Sequence, residues 1–238
     1  MDTAIQHGSV TRESSEELPL FRGELALAIA VVINTFGVVL MLLSGSGISA
    51  ISSVPYALTD VMPFLTLGEW TYLFQGVLIA TLMVLRKRFV LPYLLSFVVG
   101  FFFSCLLDFH KWWTAILPTG LALQVIYFII SYLLICIGIA LSNRCGLPII
   151  PTDLFPRELA QITKVSYAKI KIGFDATCLI ATAATTYFCL GHVDGLGVGT
   201  VLAALTMGKT IGVIGGWMDK HFRFATWMTL KKQRAQTH

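Results

Sequence analysis

Six apolar runs of about twenty residues or more decide what this chain can fold into. They lie near residues 24–44, 68–86, 89–107, 115–142, 168–190 and 197–219. A helix rising about 1.5 Å per residue needs about 20 residues to cross a hydrocarbon core of roughly 30 Å. Each run is close to that length, and the fourth has residues to spare for a tilt. The second and third are separated only by Arg86, Lys87 and Arg88. A single helix across 68–107 would hold these cations at mid-membrane at high cost, so a tight turn is expected there. The fold class is therefore all-α: a polytopic membrane helical bundle with six transmembrane helices over residues 23–222. Composition agrees, since charged residues make up only 13% of the 238, against about 25% in soluble proteins.

The cations orient the bundle. With the N-terminus inside, the cytoplasmic face holds Arg12, Arg22, the Arg86–Arg88 turn, Arg144, Arg157, Lys164, Lys169, Lys171, Lys220 and Arg223. It also holds Lys231, Lys232 and Arg234. The outer face keeps Lys111, and Lys209 falls inside the sixth run. By the positive-inside rule both termini are cytoplasmic, in a cell (inner) membrane. Anionic headgroups on that side account for the net charge of +4, so no nucleic-acid partner is implied. Residues 1–22 carry Asp2, Glu13, Glu16 and Glu17 and do not read as a secretory signal. They are expected to be a disordered cytoplasmic tail, and 223–238 a basic one. Cys105, Cys136, Cys145, Cys178 and Cys189 lack metal or disulfide spacing and read as small apolar residues.

An internal repeat divides the bundle. Gly37, Gly45, Pro55 and Leu58 match Gly138, Gly146, Pro156 and Leu159 at an offset of 101 residues. In each case a span ends, a glycine follows, and an apolar stretch of about ten residues closes on proline. The halves, about 24–110 and 115–219, would each hold three spans. An odd number inverts one half relative to the other about an axis in the membrane plane. The stretches 45–60 and 146–160 are too short to span and too apolar for solvated loops. They are read either as re-entrant segments or as short helices lying at the interface.

The segment GLPIIPTDLFPREL, the fifth span and the run Gly195-Leu196-Gly197-Val198-Gly199-Thr200-Val201 resemble the YitT/YczE group of bacterial membrane proteins. The likeness covers most of 24–219 and rests on Pro151, Asp153, Gly197, Gly199 and Thr200, with Gly208 beyond them. The first half departs from it. Ser52 and Val54 stand where the second half has Asp153 and Phe155, and Phe89-Val90-Leu91-Pro92 replaces a glycine-threonine entry to the third span. The resemblance implies the topology and a transport-type role, and names no substrate.

Ionisable groups inside spans are costly and mark functional candidates. Asp175 and Lys209 lie at depths that allow them to meet, either as a functional pair or as a structural lock between spans five and six. Lys171, four residues before Asp175, competes for it on the same helix face. Asn34 and Gln75 sit near mid-membrane as substrate ligands or as interhelical hydrogen bonds. Asp153 and Arg157 are spaced to pair, at headgroup level or as a gate, and Pro156 between them limits the helix before it. Gly197 and Gly199 open span six, and Gly208 with Gly212 form a small-xxx-small pattern that favours close packing. Asp108, His110, His192 and Asp194 lack ligand spacing and read as headgroup-level polar residues rather than a metal site. Trp70, Trp112 and Trp113 suit one aromatic belt, and Trp217 and Trp227 the other. No nucleophile–base pair, nucleotide motif or cofactor site is visible, so no enzymatic activity is expected. The favoured function is a transporter or permease of a small solute, with Asn34, Gln75, Asp175 and Lys209 on its path. The alternative is a non-transporting membrane scaffold or assembly factor. A homo-oligomer or a partner membrane protein remains open.

Overall fold

The apolar runs are all helical in the computed structural model, which describes residues 18–236. A short strand, β1 (Leu20–Arg22), leads into α1 (Gly23–Leu43), then α2 (Ala50–Val61), α3 (Leu67–Arg86) and α4 (Leu91–Thr114). The second half repeats the order as α5 (Leu121–Ser142), α6 (Pro151–Thr163), α7 (Tyr167–Leu190) and α8 (Val198–His221). β2 (Arg223–Ala225) and α9 (Trp227–Gln236) close the described chain. Helices α1, α3, α4, α5, α7 and α8 are each long and apolar enough to cross a bilayer. The chain is an integral, multi-pass membrane protein. An even number of crossings puts the start of α1 and the end of α8 on one face, the terminus face; the other is the far face.

Local chemistry explains most boundaries. Thr66 and Glu69 form a reciprocal capping box that starts α3. The Arg86–Arg88 turn is present, with Lys87 left-handed at φ 50° closing α3. Pro92 at the start of α4 costs no helical bond. Two expected bounds move by more than two residues. α4 extends to Thr114, beyond 107, and α5 begins at Leu121 rather than 115. Pro118 disfavours helix in the residue before it, and extended Gly120 caps α5. The first six residues of the fourth run, 115–120, therefore form the turn between α4 and α5, which accounts for its apparent excess length.

The packing follows a two-fold rule. α1 lies against α5. α1 meets α4 as α5 meets α8, α3 meets α4 as α7 meets α8, and α2 meets α3 as α6 meets α7. Across the halves, α2 packs on α7 as α6 packs on α3, and α2 touches α8 as α6 touches α4. Each of these helix contacts in one half has its counterpart in the other, as a 3+3 repeat requires. Because each half crosses three times, the halves insert with opposite orientation. Gly45 and Gly146, the matched glycines, both turn left-handed at φ 66° and 68°. That conformation costs an L-residue about 1–2 kcal/mol and glycine little.

The segments that flank the bundle carry short elements over their described parts. Leu20–Arg22 pairs in parallel with Arg223–Ala225, so the segment entering α1 is joined to the one leaving α8. The expected basic tail continues as α9. Residues 1–17 of the expected N-terminal tail, and 237–238, lie outside the described residues.

Candidate functional site

The two Gly-to-Pro segments become half-membrane helices. α2 has 12 residues and α6 has 13, or roughly 18–20 Å each, short of the roughly 30 Å a span needs. α6 starts deep: the hypothetical Cβ of Gly100, near the middle of α4, would lie 3.1 Å from Pro151 Cδ. It ends at the terminus face, where Glu158 binds Arg86 at 2.5 Å and accepts from the Tyr93 hydroxyl. α2 is its inverted counterpart. Ser53 bonds Thr182 at 2.7 Å inside the bundle, and Met62, just past its end, accepts from Trp70 Nε1 at the far face. Both segments are re-entrant, which settles the choice against helices lying flat on the surface.

Their N-terminal ends line one cavity between the halves. Ser49, Ala50, Ile51 and Ser52 come from the start of α2, and Thr152 and Asp153 from the start of α6. Asn34 and Val38 of α1 add to the wall, with Phe103 of α4, Ile135 and Ile139 of α5, Lys171 and Asp175 of α7, and Ala204 and Met207 of α8. The cavity leaves about 40 Å³ to the centres of water-sized molecules. At about 10–15 Å³ per water by that measure, it holds on the order of three waters or one small ion.

Proline shapes both half-helices alike. Pro55 and Pro156 each occupy the sixth position and lie inside the helix. Without an N–H they free the carbonyls of Ile51 and Thr152, two residues of the cavity wall. Only five helical residues precede Pro156, and so near the start it removes one bond only. α6 runs unbroken from Pro151 to Thr163.

Asp175 lies on the cavity wall, but its partner is not Lys209. Lys171 Nζ donates to both Asp175 oxygens at 2.6 Å, one turn away on α7, and the side chains are 4% and 1% exposed. Lys209 is exposed on the outer side of α8, because the buried stripe of that helix runs through Met207, Gly208 and Ile211. Asn34 lines the cavity with its Oδ1 unpartnered and its amide laid against Gly138 of α5, where a Cβ would come within 2.2 Å of that oxygen. Gln75 is fully buried beside Gly100 and not on the cavity wall, and neither of its amide atoms has a partner. Asp153 lines the cavity with Oδ2 unpartnered. It forms no ion pair with Arg157, which instead flanks a groove at the terminus face with Tyr93, Asn143 and Glu158. The expected Asp153–Arg157 pair fails because one side chain faces the cavity and the other the groove.

The glycine-threonine element has a different post. Thr200 is fully buried, and its N–H donates to Ser46 O at 3.3 Å. A Cβ on Gly197 would lie 2.2 Å from that same oxygen, and one on Gly199 would meet Ser46 and Phe128. These residues seat the turn that feeds α2 into the membrane and do not touch the cavity. Gly208 packs on the backbone of Ala168 in α7, whereas Gly212 faces open space, so the small-residue pattern is used at one position only. Asp108 accepts from Gly68 N–H and the Thr66 hydroxyl at the start of α3. His110 accepts from Trp113 Nε1, and Asp194 faces Asp60.

Of the first turn of α2, the sequence marks only Ser52, as the counterpart of Asp153, and it does not mark the turn as part of a binding site. Ser49, Ala50, Ile51 and Ser52 carry no charge. The 101-residue repeat, with Pro55 matching Pro156 and Ser52 matching Asp153, hints that residues 49–52 do what 150–153 do.

Neither a curated protein nor a solved structure matches this chain. Residues 21–215, from the end of β1 into α8, match a family of unknown function, DUF6198, and the chain belongs to that family.

Proposed function

We propose that the protein is a transporter or permease for a small solute, which moves through the cavity between its inverted halves. The observation that carries this reading is the convergence of two antiparallel half-helices on one mid-membrane cavity. Half-helices with N-termini at the bilayer centre offer unpaired backbone groups and a positive dipole where a solute can use them. A scaffold has no need of such a device. The polar wall around Asn34, Asp153, Lys171 and Asp175 is costly in a membrane, which supports a use beyond packing. The cation bias supports a cytoplasmic terminus face. The resemblance of 147–160 and 195–201 to the YitT/YczE group belongs to the same proposal, as does the absence of an enzymatic role.

The test is solute flux in proteoliposomes of the full chain, with Asp175→Asn and Lys209→Met side by side. Asp175→Asn is expected to lower flux of the transported solute at least tenfold. Lys209→Met, outside the cavity, is expected to leave it within twofold. Equal flux in Asp175→Asn and the parent would remove the cavity from the path. A bundle that moves no small ion or metabolite of a broad panel would favour the scaffold.

A further inference from the structure

The two ends of the cavity are not chemically equivalent. At the α2 end, the N–H groups of Ala50, Ile51 and Ser52 have no partner within the helix, no side chain caps them, and the first turn has no acid. Ser49 and Ser52 add hydroxyls, bonded to each other at 3.0 Å. At the α6 end, Pro151 has no N–H, Asp153 N–H already donates to Ile150 O at 3.0 Å, and the Asp153 carboxylate occupies the first turn. Donors therefore crowd one end and a carboxyl the other. The Lys171–Asp175 pair is neutral as a unit, and one ammonium proton remains free once two are used.

Charge decides what fits between them. A metal cation would sit beside the Lys171 ammonium and the positive ends of two helices, each worth about half a charge. An anion would find the three free N–H groups of α2 and the positive side of Lys171, but would face Asp153. That repulsion disappears if Asp153 is protonated, since its carboxyl then donates a hydrogen bond. Other charged groups near Asp153 are Lys171 and Asp175 from α7 and Arg157 on its own helix, with the Tyr167 hydroxyl close by. From α3 and α4, Arg86 and Tyr93 are taken up by Glu158, and Gln75 is neutral.

Resting on the transport reading, we propose that the cavity binds one small monovalent anion together with one proton, the anion at the first turn of α2 and the proton on Asp153. Its size limits the anion to a few heavy atoms. Asn34 and Lys171 complete the shell. The pseudo-symmetric replacement of Asp153 by Ser52 in the other half creates this polarity, since two acids would repel any anion and two serines would leave no proton acceptor.

The experiment is calorimetric titration of the full-length protein in nanodiscs with sodium chloride, nitrate and formate, at constant ionic strength set by gluconate. Runs at pH 5.5 and 7.5, in buffers of different ionisation enthalpy, count the protons. At least one anion is expected to bind with about one proton taken up, and affinity is expected to fall toward tenfold per pH unit once Asp153 is ionised. Asp153→Asn is expected to bind with no proton uptake and a flat pH profile. Ser52→Asp, which puts an acid in the first turn of α2, is expected to lose binding at least tenfold. Binding of the anion without proton uptake, unchanged proton uptake in Asp153→Asn, or binding of sodium in place of the anions would each overturn the proposal. So would no binding by any of the three anions. If solute flux in proteoliposomes persists in those cases, the transport reading survives without it. Proton-linked binding with no flux would instead overturn transport and leave the site.

Discussion

Replacing Lys171 with methionine leaves the Asp175 carboxylate alone in a cavity wall where it is 1% exposed. The parent holds it through two hydrogen bonds of 2.6 Å to a single ammonium. Breaking a buried pair from one side costs about 3–5 kcal/mol, because the remaining charge keeps its desolvation penalty and loses its compensation. Removing both charges is much milder, and well-packed apolar replacements of buried pairs are often neutral. Lys171→Met is therefore expected to lower the free energy of unfolding by about 3–5 kcal/mol, and Lys171→Met with Asp175→Leu by about 1 kcal/mol or less. The assay is reversible unfolding in mixed micelles of lipid-like detergent and dodecyl sulfate, followed by far-UV circular dichroism. The double-mutant cycle isolates the pair. The double variant also separates structure from function, since it is expected to fold normally and to move no solute. A loss below about 1 kcal/mol in Lys171→Met alone would refute the reasoning: Asp175 would then not be held as a buried charge.

Gly100→Ala places a Cβ 1.9 Å from Gln75 Oε1 and against Pro151. Overpacking of about 1–3 kcal/mol is expected in the same unfolding assay, relieved in part by Gln75→Ala. At the far face, desolvation and the facing Asp194 carboxyl push Asp60 up to about 6, while its hydrogen bond to Asp60 holds Asp194 below the usual range. A carboxyl raised on folding binds its proton more tightly in the folded state. Its stabilising contribution is thus full below about pH 4 and is lost as pH rises through about 6. Thermal melts are expected to show the midpoint falling from pH 5 to pH 7, with the fall reduced in Asp60→Asn. Cys105 and Cys189 are exposed while Cys136, Cys145 and Cys178 are buried. Of these five, Cys189 near the far face is expected to react first with a membrane-impermeant maleimide, and only from the outside if the terminus face is cytoplasmic.

The six crossings were legible because membrane-spanning needs length and apolarity, and both are written linearly in the chain. The repeat was legible at Gly45 and Gly146, where a left-handed turn leaves glycine as the easy choice at both places. What could not be read was the angular placement of side chains around each helix. Asp175 and Lys209 lie at compatible depths, yet a helix puts residues of equal depth on any face, and Lys209 falls on the outside. Lys171 reaches Asp175 because four residues on one helix fix both depth and angle. Asn34 and Asp153 were visible as buried polar groups, but the uncharged first turn of α2 was not, since backbone N–H groups leave no mark on the sequence. Gly197, Gly199 and Thr200 form a distinct motif that serves to seat a turn rather than to bind a solute.

Transport through a cavity between inverted halves requires that it be reached from both faces in turn, by alternating access. Ser52→Cys in a chain with its native cysteines replaced places a thiol on the cavity wall, and impermeant methanethiosulfonate reagents can be applied to right-side-out and inside-out vesicles. Alternating access predicts labelling from each side, with flux blocked afterwards. Labelling from neither side, or from one side only under every solute condition, would contradict it.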